Sequence, residues 1–241
     1  MDDVAVLLGF LRMSLKRSDE VFAKFLEIEG AVARGAGLER FLFLQGVRED
    51  RVLLVAHADT FWDENYEKGD SPPQNVVQEG GIIRNKNGGL GADDRAGCAM
   101  VWLLRDSGHS LLITNGEEHG RRGSSWLMNE NRDIAEEINA NHRFVLQLDR
   151  RNGTDYKCYS VGTDDFRRYI EGVTGYSEPD RRYDTDIVTL CRDICGVNLS
   201  VGYHREHIDQ EYLVLDEWQR SLALCRRWLA TPGLPKFRLH E

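Results

Sequence analysis

Apolar positions along the chain fall into short runs that stop at glycine or at charged residues, and their spacing alternates between helical and extended periods. Residues 3 to about 16 and 18 to about 34 carry apolar side chains at three- and four-residue intervals. Ser18 stands as an N-cap before Asp19 and Glu20, so two amphipathic helices are predicted, ending near Gly35 and Gly37. Segments 40–45 and 51–56 read as adjacent strands of a main sheet, and 76–84 as a hairpin around Gly80-Gly81. Between them, 61–75 is polar, contains Pro72 and Pro73, and reads as an excursion beside the site. A glycine-rich turn at 87–91 leads into a buried helix through Cys98, Met100, Val101 and Leu104. The run 111–116 predicts a strand buried on both faces. Further on, the pattern predicts a helix from 124 to about 140, a strand at 143–148, helices at 164–173 and 185–195, a final strand at 197–201, and a closing amphipathic helix at 215–230. No repeat, low-complexity segment or interdomain linker interrupts this order.

The polar residues that end these runs change the picture. The strand at 51–56 empties into His57-Ala58-Asp59, where an imidazole can meet a cation through one nitrogen while the carboxylate fixes its tautomer through the other. The strand at 111–116 ends in Glu117-Glu118, adjacent side chains that diverge. One can bind a cation while the other faces a water on it, the division of labour that metal-assisted hydrolysis needs. The strand at 143–148 delivers Asp149, and Asp93-Asp94 sits at a helix amino terminus, where plain N-capping is the competing reading. A phosphate loop fits poorly there, because two carboxylates would repel the phosphate. Open α/β sheets place their chemistry at the carboxyl ends of their strands, which is where these groups fall. His204 and His207 follow the strand at 197–201; a loop is the better reading there, so one of the two is expected to ligate.

Composition narrows the class. With 241 residues the chain can bury a substantial core, and 41% apolar and 29% charged residues are ordinary for a globular protein. A formal charge of -9 argues against general affinity for nucleic acid or anionic membranes. Five widely spaced cysteines without a CxxC pair read as reduced, buried thiols. An acidic Met1-Asp2-Asp3 start and a short apolar run from Val4 to Leu11 argue against a secretory signal, and a cytoplasmic location is expected.

Taken in order, His57-x-Asp59, Gly91-Ala92-Asp93-Asp94-Arg95-Ala96-Gly97, Glu117-Glu118-x-Gly120, Asp149 and His207-x-x-x-Glu211 resemble the co-catalytic dizinc peptidases, a group that includes bacterial leucyl aminopeptidases, peptidase T and glutamate carboxypeptidases. The resemblance spans about residues 50–230. It implies an α/β fold: a three-layer α/β/α sandwich with a mixed, mostly parallel central sheet. Residues 1–241 would be a single catalytic domain, with the helices of 1–36 packed on it. It implies two zinc ions, for which cobalt or manganese could substitute. Asp93 would bridge them, His57 and Asp149 would complete one site, and Glu118 and His207 the other. Glu117 would be the general base and acid, and Asp59 the partner of the His57 ring. His204 would be a nearby substrate contact or support. The implied substrate is a short peptide, cleaved at its N-terminal amide bond by a hydroxide that the two ions share. Only residues 150–206 separate Asp149 from His207, so the lid domain of larger members is missing.

Two further expectations concern substrate. Arg121 and Arg122 follow the Glu pair, Arg150 and Arg151 follow Asp149, and Arg205 lies between the late histidines. Arg150 and Arg151 are candidates for binding a substrate carboxylate, with neutralisation of the ligand carboxylates or a place on the solvated rim as the competing reading. The same chemistry would serve a deacylase of N-acyl amino acids. A non-catalytic metal-binding relative is disfavoured by the presence of Glu117, and a single-metal cyclase by the five-ligand set.

Overall fold

The apolar runs pair into two sheets in the computed structural model, which describes residues 2–63, 74–179 and 184–240. The larger sheet is built from β1 (Val32–Ala36), β2 (Glu39–Leu44), β3 (Leu53–His57), β6 (Ser110–Thr114), β7 (Val145–Arg150), β8 (Tyr156–Lys157) and β9 (Gly196–Ser200). Its spatial order is β1-β2-β6-β3-β7-β9-β8. The four inner strands β6, β3, β7 and β9 are parallel, and antiparallel strands flank them on both sides. Every residue of β3, β6 and β9 is buried, as expected of strands covered on both faces.

One face carries α1 (Asp3–Leu11), α2 (Asp19–Phe25), α3 (Ala92–Leu103), α6 (Asp164–Thr174) and α8 (Leu215–Ala230). The other carries α4 (Arg122–Glu130), α5 (Arg132–Asn141) and α7 (Asp186–Leu190). The result is the expected three-layer sandwich with a mixed central sheet. Helix α8 shows how pattern becomes packing: Leu215, Trp218, Leu222, Cys225 and Leu229 recur at helical spacing and are all buried. Each such large apolar side chain taken out of water contributes about 2 kcal/mol.

A smaller antiparallel sheet joins β4 (Val76–Glu79), β5 (Ile82–Asn85), β10 (Tyr203–His204) and β11 (Tyr212–Val214). The hairpin around Gly80-Gly81 is therefore present, and both of these glycines adopt positive φ.

Several expectations need correction. Residues 26–36 do not continue a helix: α2 stops at Phe25, Gly30 takes φ 84°, and 32–36 form an edge strand. Val32 is exposed, while Ala31 and Ala33 pack only partly against the core. Strands β2 and β3 are not neighbours, because β6 lies between them and pairs antiparallel with one and parallel with the other. The 124–140 helix is two helices broken at Asn131, whose φ of -121° and ψ of 63° are non-helical. The 185–195 helix is only the five residues of α7, and β9 is followed by two more short strands. The 61–75 excursion falls mostly outside the described residues.

The buried His142 gives the fold a pH signature. Its Nδ1 lies 3.1 Å from the Ile138 carbonyl and its Nε2 lies 2.7 Å from Ser110 Oγ, which fits a neutral ring donating through Nδ1 and accepting from the serine hydroxyl. Burial, then the nearby Arg51, pull its pKa down from 6.5 to about 4. The unfolded chain thus binds a proton first, and stability is lost as pH falls through 6.5 toward 4. Urea unfolding at pH 7 and pH 5 should show a loss about 2 kcal/mol larger for wild type than for His142→Gln, at ~1.4 kcal/mol per pH unit. Parallel losses would exclude His142 as the source.

Candidate metal centre

The carboxyl ends of the parallel strands open onto a cavity of about 580 Å³ lined by Asp93, Glu117, Glu118, Asp149, Tyr203 and His207, among others. Strand β3 ends at His57 and β7 carries Asp149 in its last residues, two strands that lie side by side. Helix α3 packs against β7 closely enough that a Cβ on Gly97 would sit 1.8 Å from the Leu148 carbonyl oxygen. The glycine lets the amino end of α3 press down on the sheet and put Asp93 beside both residues.

Two three-residue clusters result, and they share Asp93. His57 Nε2 lies 3.1 Å from Asp93 Oδ1 and 3.6 Å from Asp149 Oδ1. His207 Nε2 lies 3.2 Å from Asp93 Oδ2 and 2.9 Å from Glu118 Oε1. One oxygen of Asp93 faces each histidine, the arrangement a carboxylate needs to bridge two ions. The Asp93–Asp94 peptide is cis, and the two side chains go separate ways. Asp94 turns inward, accepting from the His57 backbone N–H at 3.1 Å and from that of Gly97 at 3.0 Å.

Outer contacts orient these groups. Asp59 Oδ1 lies 3.3 Å from His57 Nδ1, and its Oδ2 accepts the Glu118 backbone N–H at 3.0 Å. Asp149 Oδ2 accepts from Gln147 at 2.8 Å and Thr185 at 2.9 Å, leaving Oδ1 toward His57 and Tyr203. Gln147, Thr185, Tyr203 and Asn198, which bonds the Asp149 backbone in both directions, were not singled out by the sequence. They lie far apart in the chain and match no motif; only Tyr203, just past a strand end, carried even a positional hint.

The electrostatics suit cations. Burial, then Asp93, push Glu118 up to about 7, and burial, then Asp93 against the opposing His57, push Asp149 up to about 6. Burial lowers the His207 pKa, but Asp93 and Glu118 outweigh it and push the ring up to about 11. For His57, too, burial opposes protonation and the surrounding Asp149, Asp59 and Asp93 prevail. Protons thus balance a crowded set of carboxylates, and divalent cations fit the same place by displacing them. The donor set of two imidazoles and three carboxylates suits zinc, and also manganese or cobalt. Glu117 belongs to neither cluster but lines the same cavity. Burial first, then Asp149, Asp186 and Glu118, push its carboxyl well above the usual range.

The remaining candidates divide. Arg121, Arg150 and Arg151 line the cavity, each near an acid: Asp184 at 3.6 Å, Asp155 at 3.7 Å and Glu206 at 2.6 Å. Arg122 instead pairs with Glu39, and Arg205 lines a different cavity with Arg84 and Tyr212. The structure does not bring His204 to the centre; it lies 2.7 Å from Glu217 and stacks on Tyr212.

No family model and no curated relative matches this chain. Solved structures do. The aminopeptidase PepT from Bacillus cereus superimposes with a TM-score of 0.65 at 13% identity, over 92% of this chain and 95% of that one. A tripeptidase from Staphylococcus aureus gives 0.69 at 11% identity, over 95% and 97%. The fold is that of these peptidases. The TET1 peptidase of Pyrococcus horikoshii, which assembles into a tetrahedron or a large octahedral shell, gives 0.63 at 12% identity over 95% and 99%. The resemblance carried by the motifs extends to the architecture that places them. Among the described residues, no helix is long and apolar enough to cross a membrane.

Proposed function

We propose that the chain is a two-metal peptidase that removes N-terminal residues from short peptides. The observation that carries this reading is the position of Asp93, whose two oxygens lie 3.1 and 3.2 Å from two histidines of separate clusters, with Glu117 facing the same cavity. His57, Asp93 and Asp149 would hold one ion, and Asp93, Glu118 and His207 the other. When bound, such a pair supplies Lewis acidity toward the scissile carbonyl and lowers the pKa of a water nucleophile. Glu117 would take a proton from the attacking water and return it to the departing amine. Asp59 holds the His57 ring with Nε2 toward the cavity. Arg150 and Arg151 at the rim favour substrates bearing a carboxylate, since guanidinium binds carboxylate bidentately.

The test combines metal content per chain with hydrolysis of free-amine and amine-blocked peptides, acidic and neutral, by wild type and an Arg150/Arg151 double alanine variant. Two ions and cleavage confined to free-amine peptides are expected, with the preference for acidic peptides lost in the variant. Cleavage of blocked compounds alone would make the chain a deacylase, and no metal after reconstitution would sink the reading. An acidic preference retained in the variant would remove the arginines from substrate recognition.

A further inference from the structure

Of the five groups at the candidate centre, four are carried by the main sheet or by the helix pressed onto it. His57 and Asp149 lie on β3 and β7, Glu118 follows β6, and Asp93 opens α3. His207 is different. It stands on the loop between β10 and β11, where Arg205 (φ 57°) and His207 (φ 66°) both adopt the left-handed conformation that non-glycine residues seldom take. The β10–β11 ladder that anchors this loop pairs only Tyr203 with Leu213 and His204 with Tyr212. The His207 side chain is 40% exposed.

Two contacts from outside the loop fix it. Glu211, four residues on, is 2% exposed, and its carboxylate reaches into the turn that leads to Asp93. Its Oε2 accepts the N–H groups of Leu90 at 2.9 Å and Gly91 at 2.7 Å, and its Oε1 accepts that of Asp93 at 3.2 Å. A buried carboxylate is tolerable with three converging amides, and the bonds are charge-assisted and correspondingly strong. They fasten the His207 loop to the backbone of the residue that both clusters share. Beside His207, the Phe61 ring stacks on the imidazole, with centroids 4.5 Å apart and planes at 15°.

We propose that Glu211 and Phe61 are positioning residues for His207. The cation site of Asp93, Glu118 and His207 is then assembled by docking a loop, whereas that of His57, Asp93 and Asp149 is built into the sheet. The inference rests on the two-metal reading and adds to it that the two sites differ in what holds them together. Because both Glu211 oxygens accept hydrogen bonds, Glu211→Gln must lose at least one of them while keeping the shape.

The experiment is a zinc titration against a chromophoric chelator, with thermal unfolding of the metal-free proteins as a check on folding. His207→Ala identifies which of the two dissociation constants belongs to the loop site. That constant is expected to rise about 10- to 100-fold in Glu211→Gln and in Phe61→Leu. The other should stay unchanged, and Phe61→Tyr, which keeps the ring, should restore wild-type binding. If wild type binds two ions and both constants are unchanged, or both weaken equally in the variants, the positioning role falls while the two-metal reading stands. Fewer than two ions on wild type would overturn both.

Discussion

Glu117→Gln is expected to keep both metal ions and to lower kcat by roughly 10²- to 10⁴-fold, the usual contribution of a positioned proton carrier. Glutamine matches glutamate in size, so the cavity walls stay in place, but an amide can neither accept the proton of the attacking water nor return it to the leaving amine. Glu117 stands outside both ligand clusters, so the ions should not notice the change. Elemental analysis and steady-state kinetics on one preparation check the two halves together. A kcat within tenfold of wild type, with two ions present, would remove Glu117 from the proton path. Loss of an ion would make it a ligand.

Asp93→Asn should have the second large effect, through a different route. The carboxylate offers one oxygen to each cluster. The amide offers one oxygen and an NH₂ group, which cannot ligate. Metal content is expected to fall from two ions to one or none, and kcat/KM by at least about 10³-fold, since both positioning and activation of the water depend on the pair. The neighbouring Asp94→Asn provides the contrast. Its side chain binds two backbone N–H groups in the interior, so that variant should keep its ions and lose about 1–3 kcal/mol of stability instead. If the two variants behaved alike, the division of labour between the adjacent aspartates would be wrong.

How far the chain could be read from its residues depended on what each signal reports. Periodicity found α6 and α8 to within a residue or so, because each presents one clear apolar stripe to the sheet. It failed at 26–36, where Val32 and Ala33 lie on an edge strand instead of extending the apolar stripe of α2. It could not see the insertion of β6 between β2 and β3, because pairing across about seventy residues leaves no local trace. The site was more legible than the topology. His57, Asp93, Glu117, Glu118, Asp149 and His207 stand at the ends of elements, and the structure brings all six to one cavity or its wall. His204, three residues before His207, was indistinguishable by spacing; it lies in β10, paired with Tyr212, and its ring meets Glu217 instead. The supports of Asp149 come from β7, β9 and the start of α7, a convergence that only the fold creates.

The spread of the candidate ligands along the chain, from His57 to His207, bears on when the two clusters can assemble during synthesis. A ribosome releases the residues in order, so a growing chain that has exposed His57, Asp93, Glu118 and Asp149 still lacks His207, and Glu211 follows later still. No shortened product ending before residue 207 contains the full set. The cluster of Asp93, Glu118 and His207 can therefore close only once the β10–β11 loop has been made, and until then a growing chain offers at most the cluster of His57, Asp93 and Asp149.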